Sequence, residues 1–295
     1  MTGWLITNRF LGRDKFNELY DWLIDAAHKA GSELKLLTNA DFLIRTDINE
    51  VISQALSQGG SEYPGYVIFW DKDIRLAGSL EAMGLRLFNR AEAIRACDDK
   101  SLTYSRLAGL VSMPVTFTVP FTYETIGYRD TAFLNAIEEQ LPYPYILKEC
   151  FGSFGEQVHL INNREQCENI LKQINGRPCV IQEYIGEGPG RDIRLIIVGG
   201  KCIASMLRYN DNDFRANVAL GGHTEPYTPT DEEVNMAVTA CKALDLDYAG
   251  VDILHDSNGN PVLCEVNSNA HFKGIYNCTG INVADAIIGH VLETV

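Results

Sequence analysis

Side chains suited to metal chemistry cluster between residues 248 and 269, where the sequence reads YAGVDILHDSNGNPVLCEVNSN. Asn258 and Gly259 stand between two apolar runs, and this pair predicts a tight β-hairpin because both residues tolerate a positive φ. If these two residues form the loop, position 257 pairs with position 260. The register of the two predicted strands follows from that pairing.

This register places Asp252 directly opposite Glu265, with Asn267 on the same face of the hairpin. Two carboxylates in that position are roughly 4.5 to 5.5 Å apart and repel each other unless a cation lies between them. Three oxygen ligands of this kind suit magnesium. Gly250 falls opposite Asn267, which predicts room for a phosphate at that end. The alternative is a pair of solvated residues on the outer face of an edge hairpin.

A short glycine-containing loop follows a predicted strand that carries Lys148. Backbone N–H groups of such a loop can approach phosphate oxygens, and the lysine supplies a positive charge. The loop consists of Gly152, Ser153, Phe154 and Gly155, and it lacks the Gly-Lys-Ser/Thr ending of a P-loop. An ordinary hairpin turn is the alternative interpretation.

Two further stretches are compatible with nucleotide binding. Lys100 stands at a predicted helix start and is a candidate phosphate ligand, although lysines in that position are usually only exposed to solvent. CVIQEYIGEGPG (179–190) reads as an apolar strand running into an acidic connector. The junction could offer backbone groups to adenine and a carboxylate to its amine or to ribose, but an interdomain linker would read the same way.

The segment from 191 to 215 is rich in cations for an acidic protein. The segment contains five cations, and guanidinium groups are suited to holding carboxylate or phosphate. The alternative is a salt-bridged sheet face, which would account for one or two of these five cations. We predict that Arg208, on the second strand of a hairpin that turns at Gly199-Gly200, holds a substrate carboxylate; a salt bridge to Asp211 or Asp213 is the alternative. The five cations are Arg191, Arg194, Lys201, Arg208 and Arg215.

The elements that position these residues alternate between strands and helices. Apolar runs and helical periodicity in the first hundred residues predict a small parallel sheet. Its elements are strands at 3–8, 34–37 and 66–70 and helices at about 14–30 and 74–83. Later predictions are two helices broken near 98–100, a helix at about 163–174, a helix capped by Thr230 and a closing helix at about 282–294.

Composition narrows the function classes. The 295 residues carry a formal net charge of -14 with a pI near 4.8, which argues against general binding to nucleic acid or anionic membranes. No apolar run suggests a membrane helix or a signal peptide, so the cytoplasm is the expected location. The eight cysteines form no Cys-x-x-Cys pair and fit reduced core thiols.

Together these segments resemble the ATP-grasp superfamily, and most closely the RimK-like carboxylate-amine ligases. The similarity extends over nearly the whole chain, and the order and spacing of the segments are its most specific feature. The segments are CDDKSLTYSRLA, ILKECFGSFG, IQEYI, RDIRLIIVGGK, DFRANVALGG, GVDIL, EVNSNAHFKGI and TGINVADAI. The resemblance implies an α/β protein of α+β subdomains, with the ATP-grasp fold behind a small parallel-sheet domain. The implied boundaries are 1–98, 99–185 for the central subdomain with the lid, and 186–295 for the subdomain with the metal site.

The resemblance also implies which residues bind ATP. Lys100 and Lys148 would hold its phosphates under a lid containing Gly152 to Gly155. Glu183 and the backbone of Tyr184 would meet adenine. The family pattern often has a further glycine in the lid where this chain has Glu156-Gln157, which bears on lid mobility.

The remaining implied roles concern the reacting groups. Asp192 matches an acidic position at the edge of the nucleotide, and Arg215 and Asn217 match a pair that contacts phosphate and the reacting carboxylate. We assign Arg194 to catalysis with that pair. The metal positions Asp252, Glu265 and Asn267 are those that the hairpin register had indicated, for two Mg²⁺ or Mn²⁺ ions.

The function that follows is ATP-dependent ligation of a carboxylate to an amine through an acyl phosphate. The expected partners are ATP, glutamate or a related amino acid, and a carboxylate-bearing peptide, protein terminus or metabolite, in a chain that could form a homo-oligomer. Two alternatives use the same fold: an ATP-binding regulator without catalysis, and a kinase that releases its phosphorylated product. A regulator would be expected to lack some metal or phosphate residues, and all are present here.

Overall fold

The structure is a computed structural model that describes residues 1–11, 16–48, 50–53, 63–152, 155–186, 190–218 and 221–295. Ser153 and Phe154 of the predicted phosphate loop lie outside the described residues, as does the predicted start of the first helix near residue 14. The fold is a mixture of α-helices with parallel and antiparallel sheets.

The first sheet, called here the N-terminal sheet, is parallel, as predicted. Its strand order is β2-β1-β5-β6. The strands are β1 Thr2–Thr7, β2 Glu33–Thr38, β5 Tyr66–Trp70 and β6 Leu87–Phe88. Helices α1 Asn17–Lys29 and α2 Ile74–Ala82 connect them, while the β3 Phe42–Arg45 and β4 Glu50–Ser53 hairpin was not predicted. Both hairpin strands are short, and their apolar residues do not alternate cleanly with polar ones.

The central sheet is antiparallel and has the strand order β7-β10-β8-β9. Its strands are β7 Thr116–Thr118, β8 Tyr145–Glu149, β9 Val158–Ile161 and β10 Cys179–Glu183. Helices α5 Phe133–Glu138 and α6 Arg164–Ile174 cover it, and α6 begins where the Asn163 side chain accepts a hydrogen bond from the Gln166 N–H. An apolar core of its own runs from Val119 to Ile181.

The C-terminal sheet is also antiparallel, in the order β13-β12-β11-β14-β15. Its strands are β11 Gly190–Val198, β12 Lys201–Asn210, β13 His223–Pro226, β14 Tyr248–His255 and β15 Pro261–Asn267. The associated helices are α3 Ala91–Asp98, α4 Lys100–Leu107, α7 Asp231–Ala243, α8 Lys273–Thr279 and α9 Val283–Thr294. Thr230 caps α7 in a capping box with Glu233, as its sequence predicted.

The β14–β15 hairpin has the predicted register at the site but not at its turn. Pairing starts at His255 and Pro261, and the Asp256 side chain accepts hydrogen bonds from the intervening turn, so the predicted two-residue loop is wrong. A β-bulge beside Asp252 then shifts the pairing by one residue. Beyond the bulge, Asp252 faces Glu265, and the prediction is confirmed there.

The N-terminal and C-terminal sheets share one apolar core. Side chains from both sheets, among them Ile68, Ile196 and Tyr248, pack with α1 and α9 in a single cluster. Helices α3 and α4 instead pack with α7 beneath the C-terminal sheet, where Ala96 and Leu107 are fully buried. Within the described residues, no helix has the length and apolar character needed to cross a membrane.

Candidate active site

A cleft of about 900 Å³, including its part open to solvent, is lined by residues of the central sheet and the C-terminal sheet. Most of the described residues that the sequence singled out line it. They are Lys100, Lys148, Gly152, Gly155, Glu183, Tyr184, Asp192, Arg208, Arg215, Asn217, Asp252 and Glu265. Arg194 and Asn267 are not part of this lining, but Arg194 contacts Asp252 and Asn267 ends β15.

Lys148 lies on β8, an interior strand of the central sheet, and its side chain is almost fully buried. Its Nζ donates to Gln182 Oε1 over 2.6 Å. Burial alone would lower the pKa of the lysine, but Tyr104, Cys264 and Glu265 act in the opposite direction and the net pKa is raised. Lys148 therefore brings a permanent positive charge to the cleft.

Gln182 orients this lysine and was not predicted as a site residue. Its Nε2 donates to Thr116 Oγ1 over 2.8 Å, which leaves its Oε1 to accept from Lys148. The only sequence signal was a glutamine inside an otherwise apolar strand, next to Glu183, which had been singled out. A glutamine in this position can be assigned a functional role only when the structure shows which residue it contacts on the neighbouring strand.

Lys100 begins α4 and points toward the β14–β15 hairpin. Its Nζ lies 3.7 Å from Glu265 Oε1, and its side chain is only 12% exposed. The alternative interpretation, a lysine that merely faces solvent, is therefore wrong. Asp99 caps the helix by accepting from the Ser101 N–H over 2.9 Å, and the Lys100 N–H donates to the Cys150 carbonyl.

Asp252 is buried and is held by two arginines. Arg194 forms a bidentate ion pair with Asp252, with 2.7 Å from Nε to Oδ1 and 2.6 Å from Nη2 to Oδ2. Arg208 Nη2 lies 2.9 Å from Asp252 Oδ2. Burial raises the pKa of Asp252, but the two guanidinium groups outweigh it and the net pKa is lowered. The alternative of a solvated outer face is therefore wrong, because β14 is an interior strand and Asp252 is 3% exposed.

Arg208 is also paired with Asp192, through Nε to Oδ1 at 2.5 Å and Nη2 to Oδ2 at 2.7 Å. The expected alternative partners Asp211 and Asp213 are wrong, because the carboxylates that pair with Arg208 are those of Asp192 and Asp252. Burial raises the pKa of Asp192, and Arg208 only partly opposes this shift. The assignment of Arg208 to a substrate carboxylate stays a prediction.

Two details differ from the sequence expectations. Arg194, Arg208 and Arg215 are all in ion pairs, which is more than the one or two expected. The space predicted beside Gly250 is filled, because a Cβ added there would lie 2.5 Å from the Ala270 Cβ. Among the described residues, the space directly above Gly250 therefore has no room for a phosphate.

Arg215 joins the glycine loop to the C-terminal sheet. Its Nη1 donates to the Gly155 carbonyl over 2.7 Å, while Nε and Nη2 hold Asp213. Gly155 has a φ of 78°, and a Cβ there would lie 2.8 Å from Asn217 Oδ1. The predicted lid and the predicted Arg215–Asn217 pair are therefore in contact.

Glu183 ends β10 beside the cleft. Its carboxylate Oε2 accepts from the Val115 N–H over 3.1 Å, and its own N–H donates to the Val115 carbonyl. The next residue, Tyr184, lies with its ring centroid 6.4 Å from that of Phe214 on the facing side. These aromatic groups give this end of the cleft an apolar character suited to a planar base.

The donor set of the hairpin fits a hard cation such as Mg²⁺. Across the described ranges, no three His, Cys, Asp or Glu side chains converge as a metal site, so a metal here would use two carboxylates and the Asn267 amide. The buried Nδ2 of Asn267 has no hydrogen-bond partner among the described residues. Rotation of the amide would present its oxygen at the same place, which is compatible with a ligand role.

Comparison with solved structures identifies the architecture. The structure of the ATP-grasp ligase PsnB, complexed with a phosphomimetic variant of its minimal precursor, Mg and ADP, matches with a TM-score of 0.69 at 14% identity. The match covers 99% of this chain and 97% of that chain. The protein thus has the ATP-grasp fold, as its sequence indicated.

Sequence comparison narrows the class. A model of the RimK-like ATP-grasp domain matches residues 117–291, more than half of the chain. The chain therefore belongs to the RimK-like ATP-grasp family.

Two curated relatives share about a third of their residues with this chain. Beta-citrylglutamate synthase B of Danio rerio is 34% identical over 225 residues, covering 76% of this chain and 54% of the relative. N-acetylaspartylglutamate synthase A of Homo sapiens is 32% identical over 226 residues, covering 76% of this chain and 56% of the relative. The chain thus spans little more than half the length of either relative.

Proposed function

We propose that this protein uses ATP to join the amine of glutamate to a carboxylate-bearing acid. The cluster of Lys100 and Lys148 beside Asp252 and Glu265, in one cleft of a strongly acidic protein, is the observation that carries the proposal. The names of the two relatives support glutamate: their products differ in the acid, citrate or N-acetylaspartate, and share glutamate.

The proposed reaction has two steps. An oxygen of the acid attacks the γ-phosphorus of ATP, so that ADP leaves and an acyl phosphate forms. The glutamate amine then attacks the acyl carbon, phosphate leaves with the bonding electrons, the amine loses a proton and an amide results. Activation is needed because a free carboxylate is a very poor electrophile.

The side chains of the cleft supply charge and orientation to this reaction. Lys100 and Lys148 would hold the phosphates, while the end of β10 at Glu183 and Tyr184 would meet adenine. Arg215 and Asn217 would contact the transferring phosphoryl group, with Arg194 nearby. The contact between Arg215 and Gly155 supports a role for the glycine loop in covering the phosphates and excluding water.

Asp252, Glu265 and Asn267 would hold two Mg²⁺ ions, or Mn²⁺ in their place. When bound, the metal would neutralise charge on the phosphates and so favour transfer. Asp252 would then exchange part of its contact with Arg194 for the metal, because each of its oxygens already accepts from a guanidinium group.

The decisive experiment incubates the protein with ATP, Mg²⁺, candidate acids and pools of amino acids, and searches for a ligated product by mass spectrometry. We expect ADP and an amide of glutamate. If ADP forms but the product is the same with and without added amine, the kinase would be favoured. If nucleotide binds but no ADP is formed, the regulator would be favoured. Clear preference for lysine or alanine over glutamate would contradict the proposed amine.

A further inference from the structure

Asn89 lies where the N-terminal sheet meets the C-terminal sheet. It follows β6 directly, and its side chain is completely buried. Neither the catalytic proposal nor the nucleotide contacts use this residue. A buried amide usually has a structural explanation, so its partners decide what it does.

The Asn89 amide uses its full hydrogen-bonding capacity on backbone groups of one hairpin. Its Nδ2 donates to the Tyr248 carbonyl and to the Ser268 carbonyl, both over 2.9 Å. Its Oδ1 accepts from the Asp247 N–H over 2.7 Å and from the Tyr248 N–H over 3.3 Å. One side chain thus connects the start of β14 to the residue after β15.

This connection closes the end of the hairpin that has no turn. The last pair of the β14–β15 ladder is Gly250 with Asn267, and Ser268 is the next residue along the chain. Past that pair, the Asn89 side-chain amide bridges the two strands by donating to the Tyr248 carbonyl and to the Ser268 carbonyl. Without the amide, both carbonyls would lose a buried donor.

Further contacts hold Asn89 itself in place. The Tyr248 hydroxyl donates to the Phe88 carbonyl over 2.8 Å, so the residue before Asn89 is tied to β14 as well. The ring of Tyr248 stacks on Trp70 of the N-terminal sheet at a centroid distance of 5.3 Å. The amide is therefore held where side chains of both sheets contact each other.

We infer that Asn89 is a positioning residue that sets the separation of β14 and β15 and thereby places Asn267 against Asp252 and Glu265. The inference rests on the proposed function, because it concerns the metal positions of that proposal. Side chains that orient metal ligands typically change metal affinity or activity about 10- to 100-fold when they are removed. Asn89 would act through the backbone, from the N-terminal part of the chain.

The test compares Asn89→Ala and Asn89→Asp with wild type, at a temperature at which all are folded. Mn²⁺ affinity in the presence of ADP is measured by electron paramagnetic resonance, and kcat and the KM for ATP are measured with Mg²⁺. In both variants we expect Mn²⁺ to bind at least about tenfold more weakly than in wild type, and kcat to be lower. The KM for ATP should stay close to that of wild type. Aspartate should not restore Mn²⁺ affinity or kcat. It keeps the acceptor for the two N–H groups but lacks the donor to the two carbonyls.

Ser32→Ala is the matched control. Ser32 is also buried, and its hydroxyl donates to the Met1 carbonyl and bonds the Tyr66 hydroxyl, but its side chain makes no hydrogen bond to the described residues of the β14–β15 hairpin. We expect lower stability with unchanged Mn²⁺ affinity. Equal effects of Ser32→Ala and Asn89→Ala on Mn²⁺ affinity would overturn the inference.

Hydrogen exchange of the wild-type protein tests the same inference without a variant. If the amide and the metal site are coupled, Mn²⁺ with ADP should slow exchange of the Asp247 and Tyr248 amides. Unchanged exchange in metal-saturated protein would overturn the role of Asn89, as would wild-type Mn²⁺ affinity in both Asn89 variants. A wild type that binds neither Mn²⁺ nor nucleotide would instead contradict the proposed function.

Discussion

Asp252 combines two properties that pull in opposite directions. As a buried carboxylate it needs compensating positive charge, and Arg194 and Arg208 provide it in the structure. As a proposed metal ligand it must also accept a cation in place of part of that contact. The arginines thus keep the acid ionised and correctly oriented, because they lower its pKa against the effect of burial.

Replacement of Asp252 by Asn should therefore harm both stability and activity. Loss of one partner from a buried ion pair typically costs about 3 to 5 kcal/mol, and the loss of a metal ligand should abolish ADP formation. Urea unfolding and an ADP assay measure the two effects. The low pKa of Asp252 implies that its stabilisation is present above the unfolded-state pKa of about 4 and is lost as pH falls through the folded-state value.

Asp47→Asn provides the comparison. Asp47 also pairs with an arginine, Arg45 at 2.9 Å, but its side chain is 63% exposed. Exposed pairs contribute about 0 to 1 kcal/mol, so this variant should be nearly as stable and as active as wild type. Near-normal ATP consumption by Asp252→Asn would rule out the metal role.

At the level of elements, the glycine loop and the Arg215 loop depend on each other. Gly155 needs a positive φ, and its missing side chain lets Asn217 approach. Arg215 fixes the carbonyl of the same glycine. The position of Gly155 beside the cleft is therefore set by contacts with Arg215 and Asn217 as well as by the strands on either side of the loop.

Comparison of Gly155→Ala with Gly31→Ala separates the need for a positive φ from the need for space beside Asn217. Both glycines have similar φ values, 78° and 74°, but a Cβ at Gly31 meets nothing within 4 Å. Each variant should lose about 1 to 2 kcal/mol of stability from the left-handed backbone. Only Gly155→Ala should lower kcat/KM for ATP, by up to about 10²-fold, because the alanine displaces the loop from Asn217. Equal kinetics of the two variants would show that the loop contact has no part in turnover.

The sequence predicted those elements whose signals are local. The strand Tyr66–Trp70, the Thr230 cap and the pairing of Asp252 with Glu265 all follow from periodicity or from turn residues. The pairing was correct although the turn was not, because a bulge compensates for the longer loop. A bulge has no reliable sequence signal when no glycine marks it.

Long-range partners were beyond sequence reasoning. The pairing of Arg208 with Asp192 requires knowledge of which residues of β11 and β12 lie side by side, and its contact with Asp252 requires the order of the sheet. Asn89 carried no signal at all, because the carbonyls to which it donates lie 159 and 179 residues further along the chain. Residues that act through distant backbone atoms are visible only in the folded protein.

For the whole molecule, the distribution of apolar cores indicates two mechanical units. One core joins the N-terminal sheet to the C-terminal sheet, whereas the central sheet has a separate core between Val119 and Ile181. The cleft is lined from both units. A ligand that bridges the cleft should therefore stabilise the central unit and couple it to the rest of the protein.

Calorimetry tests this coupling. Without ligand we expect the central unit to unfold in a separate transition, since proteins with independent cores often depart from two-state behaviour. Mg²⁺ with a non-hydrolysable ATP analogue should raise the temperature of that transition until it merges with the main one. The reason is that a ligand at 100 times its Kd stabilises the native state by about 2.7 kcal/mol. Lys100→Met should reduce this shift, since it removes the ammonium group beside Glu265. A single transition that Mg²⁺ and the analogue leave unchanged would contradict both the two-unit description and nucleotide binding in the cleft.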